Sequence, residues 1–447
     1  MGTDVTAERD QSARRLSGGS LRIMASQARS DTDRWLSFGP GTAIFLLAFA
    51  LRVGAVLFVP EPELSPNAVG AFIGGAERLL DGRGFSDPGY PMFSPPLYAV
   101  GIAASFVVLG RSTLPIRLGQ AALDASTVFL VFAITRRIFG NRAAIAAGGL
   151  AAIYPFAIYA ATYIGTETPF SFALALFVWL SVCAVASSSW RMHASTGTVL
   201  GLASLVRGST QFYPIAWAAT LWLTGRRDAG SWARWTAASA CFVAIISPWA
   251  LRNYLVLGSF IPLATSANPF LCGSSEEFFT IEGREERMRK YFALLEHRGW
   301  KKPDQHDIVQ MEAFQFRAGL EKYRERFERG GVLGMGAFFA KKFLRLWYAT
   351  ESGNNHGLIL VTNLPIYVLG IAGILLARQR KLRLAWLPAM PVIYLAALHT
   401  AVYGYFRYIL PAMPLLLCFA GYALAALLER VGLVSEIASR PAVRAEG

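Results

Sequence analysis

Few side chains in this sequence stand where they could do chemistry. The informative ones are a carboxylate and several arginines beside apolar blocks. Glu167 opens such a block in the run Tyr163-Ile164-Gly165-Thr166-Glu167. Arg207 lies between two short apolar stretches, and Arg252 and Arg407 stand at the ends of longer ones. A carboxylate can take the proton of an attacking hydroxyl, and the planar arginine fork pairs with phosphate oxygens at two points. These residue types suit a substrate with a lipid tail and a phosphate head. Each also has a plainer reading. An arginine at a span end commonly anchors at the lipid headgroups, Glu167 could simply bond a neighbouring helix, and His399 reads first as a packing residue. The five histidines are scattered, with no i, i+4 pair on one helix, so the spacing makes no case for a metal.

The elements that must position these groups are membrane helices. The chain is 54% hydrophobic and 16% charged, against about 25% charged in average soluble chains. Its apolar residues come in blocks of roughly 18 to 22, the length that crosses a hydrocarbon core of about 30 Å. An all-α polytopic membrane protein with about 10–12 spans is expected. The net charge of +14 comes largely from arginines beside apolar blocks, where basic residues hold loops in the cytoplasm. That placement excludes nucleic acid as a partner. Cys183, Cys241 and Cys418 lie in apolar blocks and Cys272 stands alone, so no disulfide framework is visible. No phosphate-binding or dinucleotide glycine motif points to a nucleotide.

Charge bias fixes the topology. Residues 1–40 are polar and Arg-rich, a disordered cytoplasmic tail rather than a cleavable signal. The membrane domain covers 41–428, and 429–447 form a second cytoplasmic tail. The first span, 42–59, leads into an extracytoplasmic loop over 60–113 that carries Glu61, Glu63, Glu77, Asp81 and Asp87. If the apolar run 93–109 crossed, Arg136, Arg137 and Arg142 would be stranded outside, so it reads as a re-entrant or surface helix. Spans follow over 114–139, 143–163 and 167–186. The stretches 196–207 and 210–224 read as half-length helices meeting at the outer face, and 232–250 goes out again. Residues 252–357 form a large charged extracytoplasmic loop. Its stripe 338–348 suits a helix on the membrane surface with basic side chains at the headgroups. Spans over 358–377, 384–402 and 408–428 complete the domain. This topology places Glu167, Arg207, Arg252, Arg407 and the acidic first loop on one face.

Seven stretches then carry a family resemblance. They are Ala76-Glu77-Arg78-Leu79-Leu80-Asp81-Gly82-Arg83-Gly84-Phe85 with Ser94-Pro95-Pro96-Leu97-Tyr98; Arg136-Arg137-Ile138-Phe139-Gly140; Thr166-Glu167; Gly201-Leu202-Ala203-Ser204-Leu205-Val206-Arg207; Pro248-Trp249-Ala250-Leu251-Arg252-Asn253-Tyr254; Lys342-Phe343-Leu344-Arg345-Leu346-Trp347; and Tyr405-Phe406-Arg407-Tyr408-Ile409-Leu410-Pro411 with Pro414. In this order they resemble the polyprenyl-phosphate-sugar-dependent glycosyltransferases of the GT-C fold. Within that fold the likeness is to protein O-mannosyltransferases, lipid A aminoarabinose transferases and rhizobial galacturonosyltransferases.

The resemblance implies an enzyme of the bacterial plasma membrane, with both termini cytoplasmic. It would transfer a sugar, with inversion, from a polyprenyl-phosphate donor to a hydroxyl of a lipid, glycan or protein. Arg207, Arg407 and Arg252 would bind the donor phosphate, and Tyr98, Tyr403, Tyr405 and His399 would line the substrate cavity. No organic cofactor is implied, and divalent-metal use is left open. One departure matters. Asn67 stands near the position where the family carries an acid in its first loop, and an amide cannot take the proton. Glu61, Glu63 or Glu167 would then serve as the base, Glu63 first among them, or the chemistry is lost. A lipid-linked-sugar transporter or an inactive accessory subunit of an envelope glycan complex are the rival readings.

Overall fold

The computed structural model describes residues 39–62, 68–87, 90–91, 94–264, 267–279, 284–297, 308–351 and 353–432. The order begins with α1 (Pro40–Phe58), a π-helical turn (Ala68–Ile73), α2 (Gly74–Leu80) and a short antiparallel pairing of Ser86–Asp87 with Tyr90–Pro91. Next come α3 (Leu97–Leu109), α4 (Leu114–Phe139), α5 (Asn141–Ala152), α6 (Pro155–Ala160), α7 (Glu167–Ser187), α8 (Trp190–Val206) and α9 (Tyr213–Leu223). After α10 (Ala229–Leu257), the polar segment holds α11 (Ala267–Ser274), α12 (Arg284–His297) and α13 (Ile308–Arg345). The last elements are α14 (His356–Gln379), α15 (Trp386–Ala401), α16 (Phe406–Ile409) and α17 (Met413–Arg430). Among the described residues, seven helical stretches are long and apolar enough to cross a membrane. The protein is an all-α, multi-pass membrane protein.

The centre of the bundle is α17, apolar around its whole circumference and buried accordingly. Small residues bring its neighbours close. A Cβ on Gly421 would collide with the backbone nitrogen of Ala147, so α17 and α5 touch backbone to backbone. Ala143, Ala144 and Ala147 on α5 are buried there, the small-residue packing that membrane helices use in place of a hydrophobic drive.

Several spans differ from the sequence expectation for local reasons. The block 143–163 is broken after Ala152, because Tyr154 precedes Pro155 and is extended (ψ 110°). The two expected half-length helices are one of 17 residues, α8, and one of 11, α9, parted where Arg207 is extended (φ −151°, ψ 120°). Helix α10 runs on through Pro248 and Arg252 and stops at Gly258, which has φ +64°. At 1.5 Å per residue, α3 is about 20 Å long, short of a hydrocarbon core.

Of the basic side chains in the stripe 338–348 only Lys341 is exposed, paired with Glu276 at 3.4 Å; the other two are turned inward. Phe338, Lys342, Arg345 and Leu346 are all buried. Gly331, at φ +57°, kinks α13, and the last turns of the helix dock onto residues 401–405. Lys342 finds two carbonyl oxygens there and the Tyr323 hydroxyl on its own helix, and Arg345 donates to the Phe279 carbonyl at 2.8 Å. Paired cations of this kind can stay buried where isolated ones could not.

Candidate active site

Glu167 is the first residue of α7, so its carboxylate lies at the positive end of the helix dipole. The loop that delivers it is held by Gln120 on α4. Its amide donates to the carbonyls of Tyr163 (2.8 Å) and Ala161 (3.3 Å), and its oxygen accepts from the Tyr98 hydroxyl at 2.6 Å. The Gly165 N–H donates in turn to the Tyr98 oxygen at 3.1 Å.

Two arginines converge on one oxygen of this carboxylate. Arg407, on α16, reaches Glu167 Oε1 with Nε at 3.2 Å and Nη2 at 3.0 Å. Arg207 comes from the extended break after α8, and its Nη1 lies 3.7 Å from the same oxygen. Glu167 is 1% exposed, Arg207 12% and Arg407 38%. Glu167 Oε2 and Arg207 Nη1 are buried without a hydrogen-bond partner among the described residues. The arrangement is a cationic cradle with donor capacity left over, open on the Arg407 side.

Tyr408 sits inside the cradle. The Arg207 guanidinium is 5.0 Å from its ring centroid, the His399 ring stacks on it at 5.0 Å, and Tyr403 packs edge-on at 5.8 Å. Neither ring nitrogen of His399 has a partner. A second carboxylate arrives from the large loop. Glu351 Oε2 lies 3.5 Å from Arg407 Nη1, and its Oε1 accepts from the Tyr408 hydroxyl at 3.1 Å.

The turn that carries Arg407 is gripped by α13. Lys342 Nζ donates to the carbonyls of Ala401 (2.9 Å) and Val402 (3.3 Å) and lies 3.0 Å from the Tyr323 oxygen. Burial, with Arg326 nearby, pushes this amine down to about 7. The Phe406 N–H donates to the Ala349 carbonyl at 2.8 Å, which sets Glu351 beside Arg407. Side chains at Gly273 and Gly404 would collide with the Val402 and Lys342 carbonyls, so the close docking needs both glycines. Tyr403 and Tyr405 pack edge to face at 4.6 Å, and burial pushes the Tyr403 phenol far above its ordinary value.

An apolar groove of about 750 Å³ runs between α3, α4, α7 and α8. Gly101, Gly119, Phe172 and Leu202 line its body, with Tyr98 and Gln120 also on the wall. Pro169 on its wall is half a turn from Glu167, and Val206 adjoins Arg207.

The structure therefore brings together Glu167, Arg207, Arg407, His399, Tyr403 and Tyr405, with Tyr98 bracing the loop behind. Arg252 is not among them: it bonds Asn253 Oδ1 at 3.0 Å and lies over Trp249. Glu63 and Asn67 lie outside the described residues. Glu61 pairs with Arg117 at 3.3 Å and accepts from Thr113. Sequence reasoning missed Tyr408, Gln120 and Glu351. Glu351 had a signal, being the sole carboxylate between Glu328 and Glu429. Among the described residues no three His, Cys, Asp or Glu side chains gather as metal ligands.

Fold and site together define a membrane protein of the GT-C fold. Residues 94–251 match the family model described as Dolichyl-phosphate-mannose-protein mannosyltransferase. No curated protein sequence matches the chain. The fold is similar to that of the oligosaccharyltransferase AglB from Archaeoglobus fulgidus, solved with an inhibitory peptide and a dolichol-phosphate. That match has 15% identity and a TM-score of 0.56, and covers 88% of this chain and 51% of that one. The Archaeoglobus fulgidus enzyme tethered to an acceptor peptide gives 16% identity and 0.55, over 90% and 51%. ArnT from Cupriavidus metallidurans, bound to undecaprenyl phosphate, is 16% identical over 88% of this chain and 77% of that one, at a TM-score of 0.40. The chain thus spans about half the length of the oligosaccharyltransferase it matches. The oligosaccharyltransferase likeness establishes the GT-C fold that the sequence motifs led us to expect.

Proposed function

We propose that this protein transfers a sugar from a polyprenyl-phosphate donor to an acceptor hydroxyl at the extracytoplasmic face of a bacterial plasma membrane, with inversion. The observation that carries the reading is the cradle: two arginines drawn to one buried carboxylate, with spare donor capacity, at the edge of an apolar groove. In this reading the donor phosphate sits against Arg407 and Arg207, and Glu167 holds both guanidinium groups in place. As the bond from the anomeric carbon to the phosphate oxygen breaks, negative charge grows on the phosphate. Preorganised cations stabilise that charge without reorganising, the term that dominates many such transfers. The apolar groove offers room for a lipid chain, and Tyr98, Tyr403, Tyr405 and His399 border the space for sugar and acceptor. The lipid phosphates bound by AglB and ArnT support the donor class.

The test is transfer from labelled undecaprenyl-phosphate sugars in proteoliposomes. Arg407→Lys keeps the charge but loses the fork. Its kcat should fall about 10²–10³-fold, the size of losing one preorganised donor, with the melting temperature little changed. Retained kcat would remove Arg407 from the phosphate site. Turnover by neither wild type nor variant, across a panel of sugars and acceptors, would end the transferase reading.

A further inference from the structure

With an amide at position 67, the reaction needs another group to take the acceptor proton. We infer that Glu351, in the large extracytoplasmic loop, is that general base. The inference rests on the proposed transfer reaction.

Two requirements select it among the described residues. The base must be a carboxylate reachable from the extracytoplasmic side, and it must adjoin the arginine cradle. Glu167 fails the first, being 1% exposed with Oε1 clasped by Arg407 and Arg207. Glu61 fails the second, since its partners are Arg117 and Thr113 rather than the arginines of the cradle. Glu351 is 29% exposed and lies outside the long apolar helices. Its Oε2 is 3.5 Å from Arg407 Nη1. Its Oε1 accepts from the half-buried Tyr408 hydroxyl at 3.1 Å. Tyr408 in turn carries Arg207 and His399 on its ring, so the carboxylate is placed by the same residues that shape the cradle. The bond from Phe406 to Ala349 fixes the chain two residues ahead of it.

The step balances without a co-reactant. The acceptor O–H gives its proton to a Glu351 carboxylate oxygen while its oxygen electrons attack the anomeric carbon. The bond from that carbon to the phosphate oxygen breaks, and its electron pair leaves on the phosphate beside Arg407. Glu351 then releases its proton to water.

The experiment compares wild type, Glu351→Gln, Glu351→Asp and Glu63→Gln in proteoliposomes with labelled undecaprenyl-phosphate sugars, and measures undecaprenyl phosphate binding separately by thermal shift. A positioned base is worth about 10²–10⁴-fold. Glu351→Gln should lose that much kcat and bind undecaprenyl phosphate as wild type does. Glu351→Asp should recover part of the rate. A Glu351→Gln enzyme within threefold of wild-type kcat overturns the assignment, more so if Glu63→Gln is the dead variant. Equal losses of rate and undecaprenyl phosphate binding overturn it too, because Glu351 would then only position Arg407. In both cases the wild type still turns over and the transferase reading stands. A wild type that binds undecaprenyl phosphate but transfers nothing removes both.

Discussion

Arg52 and Glu167 are both charged groups sealed among apolar helices, and their surroundings show how a structural charge differs from a functional one. Arg52, on α1, pairs through Nε with Asp124 Oδ2 of α4 at 2.6 Å. Its other nitrogens donate to the carbonyls of Ala151, Ala152 and Ala48. Every guanidinium nitrogen is bonded, and the group ties α1 and α4 to the broken end of α5. Glu167 has comparable burial but an incomplete set: both arginines crowd one oxygen, while Oε2 and Arg207 Nη1 have no hydrogen bond among the described residues. Buried polar groups are nearly always paired, so the deficit belongs where a ligand completes the set. A transporter of a charged lipid-linked sugar would use charge deep within spans, and Arg52 and Asp124 are spent on each other.

The largest expected effect tests the structural side of this comparison. Arg52→Met alone leaves Asp124 buried and unpaired and should cost about 3–5 kcal/mol, whereas replacing a buried pair by apolar residues is often neutral or stabilising. Arg52→Met with Asp124→Leu should therefore recover part of that loss, short of wild type by the Ala151 and Ala152 carbonyls that Arg52 no longer meets, and its transfer rate per folded molecule should match wild type. A folded double variant without activity would break the comparison, making this pair part of the working machinery.

The next effect sharpens the functional side. Gly101 and Gly119 line the apolar groove, and a Cβ on either meets nothing within 4 Å. Gly119→Leu should fit without strain and fill space meant for a lipid chain. Losing room for a few methylenes, at about 0.8 kcal/mol each, predicts roughly a tenfold rise in KM for an undecaprenyl donor with kcat nearly unchanged. Gly54→Leu on α1 also meets open space, lies away from the groove, and should leave both constants alone. Equal behaviour of the two variants would show that the groove holds only ordinary membrane lipid.

How much of this was legible beforehand depended on the range of the interaction involved. Long apolar blocks and arginine bias are local, so the long spans and the gathering of Glu167, Arg207 and Arg407 could be read. The pairing of Arg52 with Asp124, 72 residues apart, depends on which helices pack together, and hydropathy carries no such information. Tyr408 was overlooked beside Arg407 because an aromatic in an apolar block reads as packing. Arg252 and Arg407 look alike as arginines at span ends. Only tertiary structure separates them, since α10 continues past Arg252 and turns it toward Trp249.

Lys342 stands between the two kinds of buried charge. It is as enclosed as Arg52 and bonded to three oxygens, yet burial pushes its amine down to about 7. The sign of its effect on stability follows from linkage. Between about pH 7 and the ordinary lysine value of 10.5, the unfolded chain holds a proton that the folded chain lacks, so this residue makes stability rise with pH across that window. Below pH 7 both states are protonated, and the cost of burying the ammonium is felt in full. Lys342→Met removes the titration and should flatten the slope, so its melting temperature relative to wild type should fall as pH rises from 6 to 9. Melting curves of both proteins at those two values measure the difference. A constant offset would mean that Lys342 keeps its proton throughout, a cation fixed as firmly as Arg52.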